Sequence, residues 1–406
     1  MSRTALEGLR VVDLTWVIAG PFCNKLLADM GAEIIKVESR HKVDGLRMEG
    51  PWKDNIPTGP NRSGLFDTMN VNKLSFLLNL RVAAGLDIFK RLVEASDVVI
   101  ENFSSGTMEK FGLGYPVLSE VNPRIVMIRL SGYGQTGPYS NYISFGPTLQ
   151  AISGLTYITG HPGRTPVGIG QAYPDYTGGL FAALAILSGI RQCRRTGKGQ
   201  CIDLSQYEGA VCVLGHTLLD YTVNGRIPEA TGNRHPYACP HGCYRCKGDD
   251  RWCAIAVYND KEWQAFCHVL GNPAWTSDPA FATFLGRKKR EDELDRLIEE
   301  WTIERSAEEV MESIQSAGVP AGVVQNVKDL ITDDCHMKAR EYYQEMEHPP
   351  IGKIVPEGIP FKLLGTPGSL RTPAPLLGEH NDYILKSILG MSQEEIDKFA
   401  SQGAFK

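Results

Sequence analysis

The chain has 406 residues, 42% of them hydrophobic and 22% charged, the make-up of a globular protein long enough for two or three domains. Its net charge of −5 excludes the basic balance of a general nucleic-acid binder, while leaving room for a local cation cluster that faces a small polyanion. No run approaches the ~18 apolar residues of a membrane span, no apolar leader follows Met1, and the scattered cysteines fit reduced thiols in a cytoplasm.

In chain order, residues 9–14 predict a buried strand, 21–30 a helix opened by Pro21, and 32–38 a second strand. A helix over 83–95 and strands over 97–101 and 124–130 repeat the pattern. Strands alternating with helices predict an α/β fold with a doubly wound, Rossmann-like parallel sheet. The first strand–helix turn, Thr15 to Pro21, lacks G-x-G-x-x-G, so a dinucleotide has no fingerprint here. The glycine-rich approach Gly168-Ile169-Gly170 then leads to Asp175, followed by Gly178, Gly179 and the apolar run 180–187, which predicts a helix to about residue 194. Two readings of Asp175 stand side by side. It is the helix N-cap, or it is a carboxylate nucleophile kept ionised by the helix N-terminus, with the glycines leaving room for a large substrate.

Arg195 to Gln200 forms a basic turn in which no Ser or Thr follows Lys198, so it is no P-loop. A strand is predicted over 201–204 and a long helix over 207–223. Gly, Pro, Cys and His then accumulate up to Tyr244, and this stretch reads as loop. A second, smaller α/β or α+β domain is expected over 226–325. It contains strands at 252–258 and 319–324, helices at 261–270, 287–301 and 306–317, and a capping box from Ser306 to Glu309. Residues 1–225 form the large domain. Residues 326–406 form a C-terminal segment of short strands and helices, with a second capping box from Ser392 to Glu395.

Cys239, Cys243, Cys246 and Cys253, with His235 and His241, have spacings that match no common zinc module, and no metal is expected. G-x-S-x-G is absent, which removes the signature of an α/β-hydrolase. Lys36, Arg40, Lys42, Lys73, Arg81 and Lys110 fall at or after predicted strand ends, where a doubly wound sheet binds ligands. Together they suit a phosphorylated ligand.

These pieces resemble the class III CoA-transferases, the formyl-CoA transferase family, along essentially the whole chain. The resemblance is carried by Leu9 to Thr15 with Ala19-Gly20-Pro21, Gly31 to Glu38, Asn72-Lys73, Glu101-Asn102-Phe103 and Ser131 to Pro138. It continues through Asp175-Tyr176-Thr177-Gly178-Gly179, Thr196 to Gln200, Asn233 to Tyr237 and Pro375 to His380. It implies a transferase whose nucleophile is Asp175 and whose coenzyme A or acyl-CoA comes as substrate, with no permanently bound cofactor. CoA contacts map onto Leu78, Arg81, Asn102, Phe103 and Lys110, with Arg40 toward the nucleotide end. A substrate pocket is expected from Trp16, Ile18, Tyr133, Phe145 and Tyr173. The family's active-site lid aligns with Pro240 to Tyr244, which is short and poor in glycine. The resemblance further implies an interlocked homodimer, or a heteromer with a homologous subunit, and a C-terminal segment that returns to the large domain.

Two departures bear on substrate. Ile18 stands where formyl-CoA transferase has Gln, and Gly146 where an acidic residue is usual. The apolar lining suits a bulkier or aromatic acid, and the breadth of the family that the chain resembles implies succinyl-CoA as donor and an aromatic dicarboxylate such as benzylsuccinate as acceptor. The alternatives are a racemase of α-methylacyl-CoA, whose His-Asp pair would fall on Phe145-Gly146, and a non-catalytic CoA-binding subunit.

Overall fold

The computed structural model describes residues 4–406, which divide into two compact units. The first unit runs through residue 156 and adds 168–227 and 336–406. The second comprises 157–167 and 228–335, so a short excursion before Gly168 belongs with it.

The first unit is built on six parallel strands: β1 (Arg10–Asp13), β2 (Glu33–Glu38), β3 (Lys73–Leu77), β4 (Val98–Glu101), β5 (Val126–Ser131) and β6 (Gln200–Ser205). Their order is β3-β2-β1-β4-β5-β6, so the winding reverses between β1 and β4. Strand residues alternate between two cores, as the pleat requires. Val12, Ile35, Val99 and Met127 face one layer of helices, and Val11, Ile34, Val98, Ile100 and Ile128 face the other. All nine are essentially inaccessible to water, which explains the near-continuous apolar runs in the sequence.

The helices that matter here are α1 (Ala19–Asp29), α2 (Gly64–Asn70), α3 (Ala83–Glu94), α4 (Gly146–Ile152), α5 (Tyr173–Thr196) and α6 (Gln206–Cys212). Helix α5 ends where Gly197 adopts φ 73°, a left-handed cap that glycine takes without penalty. The single helix expected over 207–223 is two: Gly215 at φ 46° separates α6 from His216–Asn224. Strand β3 was not anticipated, and it too opens on a charged residue. Lys73 is nonetheless fully buried, paired with Asp13 at 3.2 Å.

In the second unit β7 (His241–Arg245), β8 (Trp252–Ala256) and β9 (Ala321–Val323) form an antiparallel sheet. Tyr244, Cys253 and Ile255 from its inner face share a core with Phe266 of α7 (Asp260–Val269), Leu294 and Ile298 of α8 (Glu291–Thr302), and Ile314 of α9 (Ala307–Ser316). The capping box at Ser306 forms, as does the one at Ser392. The chain from 336 onward belongs to the first unit. A hairpin of β10 (Met346–His348) and β11 (Gly352–Ile354) is followed by α10 (Gln393–Ser401), whose Ile396 and Phe399 join the core beneath α3.

Candidate active site

Asp175 is the third residue of α5 and not its N-cap. The cap position is Ala172, because Pro174 fixes a helical φ one residue before Asp175 and lets the helix start at Tyr173. The carboxylate is therefore free of capping duty. Its Oδ2 is buried and has no hydrogen-bond partner. Burial pushes the carboxyl up to about 6, only partly offset by a hydrogen bond from its own backbone N–H. Desolvation is thus the larger influence on this group, ahead of the backbone hydrogen bond.

The two glycines after Asp175 serve helix packing and not substrate room. A Cβ on Gly178 would lie 2.9 Å from Gln206 Cγ on α6, and one on Gly179 would lie 2.8 Å from the Ala19 carbonyl on α1. They let α5 seat between those helices. The glycine that borders the carboxylate is Gly146, at the start of α4. A Cβ there would overlap Asp175 Oδ2. Gln150 of α4 holds the approach to α5 by donating to the Gln171 carbonyl and accepting the Ile169 N–H at 3.2 Å. Phe145, the N-cap of α4, and Tyr173, the first residue of α5, flank this point and are 63% and 37% exposed, so neither is consumed by the core.

A cleft of about 230 Å³ opens at the carboxyl ends of β1 to β4, where the sheet reverses its winding. Trp16, Lys42, Leu78, Arg81, Phe103 and Phe111 line it. Trp16 meets Phe103 edge-on at 5.8 Å, and the Lys42 ammonium sits 4.7 Å over the indole. Of the predicted CoA contacts, the cleft brings together Leu78, Arg81 and Phe103. Arg40 and Lys110 are exposed outside its lining. Asn102 is occupied elsewhere: it accepts the Trp16 N–H at 2.9 Å and donates to the Trp16 carbonyl at 2.7 Å. Trp16, expected in the acid pocket, lines this cleft. Lys42 lies in it although only its place after a predicted strand marked it in the sequence. Lys36 and Lys73 leave the expected cation cluster altogether. Both are buried, Lys36 against Asp44 at 2.8 Å and Lys73 against Asp13.

Those buried pairs hold the turn between β1 and α1. Asp13 accepts the Thr15 N–H (2.8 Å) and hydroxyl (2.5 Å), Lys36 donates to the Thr15 carbonyl (2.7 Å), and Asp44 accepts the Val17 N–H (3.0 Å). So restrained, Val17 adopts φ 66°, a left-handed conformation costly for a β-branched residue. The turn links the two regions just described. Trp16 lines the cleft, while Val17 and Ile18 pack against the buried cluster of Leu46, Phe66, Met69 and Ala374, which also receives Phe22 and Tyr176, the neighbour of Asp175. Tyr133, also expected in the acid pocket, centres a cluster with Tyr139, Tyr142 and Tyr207 at 5.9 to 6.2 Å.

The profile of CoA-transferase family III matches residues 6–381. The chain belongs to this family. It is 37% identical to the succinyl-CoA–D-citramalate CoA-transferase of Chloroflexus aurantiacus over 96% of each chain. It is 35% identical to the beta subunit of succinyl-CoA–L-malate CoA-transferase from the same organism, over 98% of this chain and 97% of that one. Human succinyl-CoA:glutarate CoA-transferase is 32% identical over 98% of this chain and 89% of its own. The crystal structure of a CaiB/BaiF family protein from Brucella suis superposes with a TM-score of 0.87 at 31% identity, covering 95% of this chain and all of that one.

As a family III CoA-transferase, the protein is an enzyme that uses CoA thioesters as substrates. The segment aligned with the family's lid is corrected by the structure: His241 to Arg245 is strand β7, bonded to β8 along its length, and no free loop. Of the cysteines near it, Cys243 lies on β7 and is exposed, Cys253 lies on β8 and is buried, and Cys246, also buried, follows β7 directly. Among the described residues no group of three or more His, Cys, Asp or Glu is placed to hold a metal. No helix of the described chain is long and apolar enough to cross a membrane.

Proposed function

We propose that the enzyme moves CoA from succinyl-CoA to a dicarboxylic acid by covalent catalysis on Asp175. The observation that carries this reading is a buried carboxylate oxygen with no protein partner, next to a position without a side chain. Asp175 attacks the thioester carbonyl, the C–S bond breaks, and CoA leaves as thiolate with a mixed anhydride on Asp175. The thiolate attacks the aspartyl carbonyl, releases succinate and forms an aspartyl–CoA thioester. The acceptor carboxylate displaces CoA in its turn, and the thiolate takes the acceptor's acyl group, restoring Asp175. Every step exchanges one activated acyl bond for another, so no energy source is consumed, and water must be excluded. The cleft with Trp16, Lys42 and Arg81 would take CoA: two cations suit its phosphates and Trp16 offers an aromatic face.

The relatives' names favour short dicarboxylates such as malate, citramalate or glutarate as acceptors. The exposed Phe145 and Tyr173 favour a bulkier or aromatic one such as benzylsuccinate. Mass spectrometry of the acyl-CoAs formed from succinyl-CoA and a panel of these acids decides between them.

A carboxyl near 6 would also suit α-proton abstraction, but a racemase needs a second acid–base group, and positions 145 and 146 carry Phe and Gly. Exchange of the α-hydrogen of an α-methylacyl-CoA with deuterated water would support that alternative. Finally, we read the enzyme as an assembly of two copies. Leu180, Leu184 and Leu187 on α5 and Leu218, Leu219, Tyr221 and Val223 on the helix His216–Asn224 are exposed, and that helix buries no residue within the chain.

A further inference from the structure

Gly146 has an ordinary backbone conformation, so no turn demands glycine there. What demands it is crowding. A Cβ at this position would meet Asp175 Oδ2, the Ala172 Cβ at 2.7 Å and the Ala172 Cα at 3.0 Å. Two of these atoms are fixed by the cap of α5. The third is the tip of a side chain that can rotate, so any side chain at 146 displaces the carboxylate first. The same oxygen is the one left without a partner. An alanine would not break a hydrogen bond; it would move the reacting atom.

We propose that Gly146 is a positioning residue of the transfer reaction: its missing side chain keeps the Asp175 carboxylate in its attacking position and leaves the space that the anhydride and thioester fill. The inference rests on the nucleophilic role of Asp175. During the first transfer an Asp175 carboxylate oxygen bonds to the donor's acyl carbon as the donor's C–S bond breaks and CoA leaves as thiolate. During the second, the thiolate forms a C–S bond to Cγ as the bond from Cγ to the anhydride oxygen breaks and succinate leaves. Both adducts are bulkier than the free carboxylate and have to be accommodated at the Gly146 face. Gly146 also replaces the acidic residue usual at this position in the formyl-CoA transferases, so nothing charged competes with Asp175 there.

The test compares wild type, Gly146→Ala, and Gly146→Ala combined with Ala172→Gly, which removes the Ala172 Cβ contact and leaves the carboxylate as the main group to be displaced. Each full-length protein is mixed with succinyl-CoA, and the rate of covalent labelling of Asp175 is followed by mass spectrometry across pH 5 to 9. CoA binding is measured in parallel. The expected result is unchanged CoA affinity in at least the double variant. Labelling should slow by about tenfold to a hundredfold, the usual cost of misplacing a reacting atom by ~1 Å. Its acidic limb should move to higher pH, because a methyl group further desolvates the carboxylate. Labelling within about threefold of wild type with an unmoved limb would overturn the proposal. So would loss of CoA binding in both variants, which would make Gly146 a folding residue only. If wild type itself is not labelled on Asp175 while turning over, the nucleophilic reading fails, and that outcome is distinct from either result with the variants.

Discussion

Asp175 carries a conflict between stability and reactivity that can be measured. Its carboxyl is pushed up from the ordinary value of 3.8 to about 6 by burial. The folded state therefore holds the proton more tightly than the unfolded state, and stability falls as pH rises from about 4 to 6, remaining lower above that range. Asp175→Asn removes this penalty. We expect it to abolish transfer yet stabilise the protein by about 2 kcal/mol at pH 7.5, with the gain shrinking toward zero as pH falls below 5. Paired thermal unfolding curves at the two pH values check this, and a destabilised Asn variant at pH 7.5 would count against it. For the wild type, transfer should decline as pH drops through about 6, as the nucleophile protonates. At this scale the sequence pointed to Asp175 through its glycine-rich setting and family likeness. It could not show that burial raises the carboxyl, because burial depends on neighbours distant in the chain; the cap at Ala172, set by the adjacent Pro174, was legible locally, although the N-cap reading puts it on Asp175.

Among the elements, the turn from Thr15 to Ile18 is the most constrained. Side chains of β1, β2, the segment after β2 and the segment after β4 bind its peptide groups, and Val17 is held at φ 66°. Left-handed backbone costs an L-residue roughly 1–2 kcal/mol, against an entropy penalty of about 0.5–1 kcal/mol for glycine. Val17→Gly should therefore be more stable than Val17→Ala by up to about 1 kcal/mol, the reverse of the order in ordinary backbone. Both lose the valine side chain, so denaturant titration of the pair isolates the backbone strain. Because Trp16 lines the cleft, Val17→Gly should also raise KM for the acyl-CoA more than it lowers kcat, as the turn loosens. An Ala variant at least as stable as Gly would show that the turn is unstrained. The strands with apolar runs were legible in the sequence. Strand β3 was not, since its leading Lys73 pairs with a residue sixty positions away, and β7 was masked by its His, Gly and Cys content. Burial in ion pairs explains why Lys36 and Lys73 looked like ligand-binding cations: a buried lysine and a solvent-facing one have the same sequence signature.

Over the whole molecule, the β3-β2-β1-β4-β5-β6 order sets the cleft at the winding reversal, and the alternation of strands and helices predicted that architecture. The excursion 157–167 left no such trace, because nothing in its composition distinguishes it from a loop. The exposed leucines of α5 and of His216–Asn224 predict a dimer in sedimentation. The double substitution Leu184→Asp with Leu219→Asp should yield monomer or a marked loss of assembly, since each buried leucine is worth about 1.5–3 kcal/mol. A wild type that sediments as a monomer would refute that assembly. The central claim, that CoA passes through a covalent bond to Asp175, has a more direct test. Enzyme incubated with succinyl-CoA is quenched with hydroxylamine, digested and analysed by mass spectrometry. The account predicts a hydroxamate on the peptide carrying Asp175, dependent on acyl-CoA and absent from Asp175→Asn. Sustained turnover with no modification of Asp175, or with the hydroxamate on another residue, would contradict it.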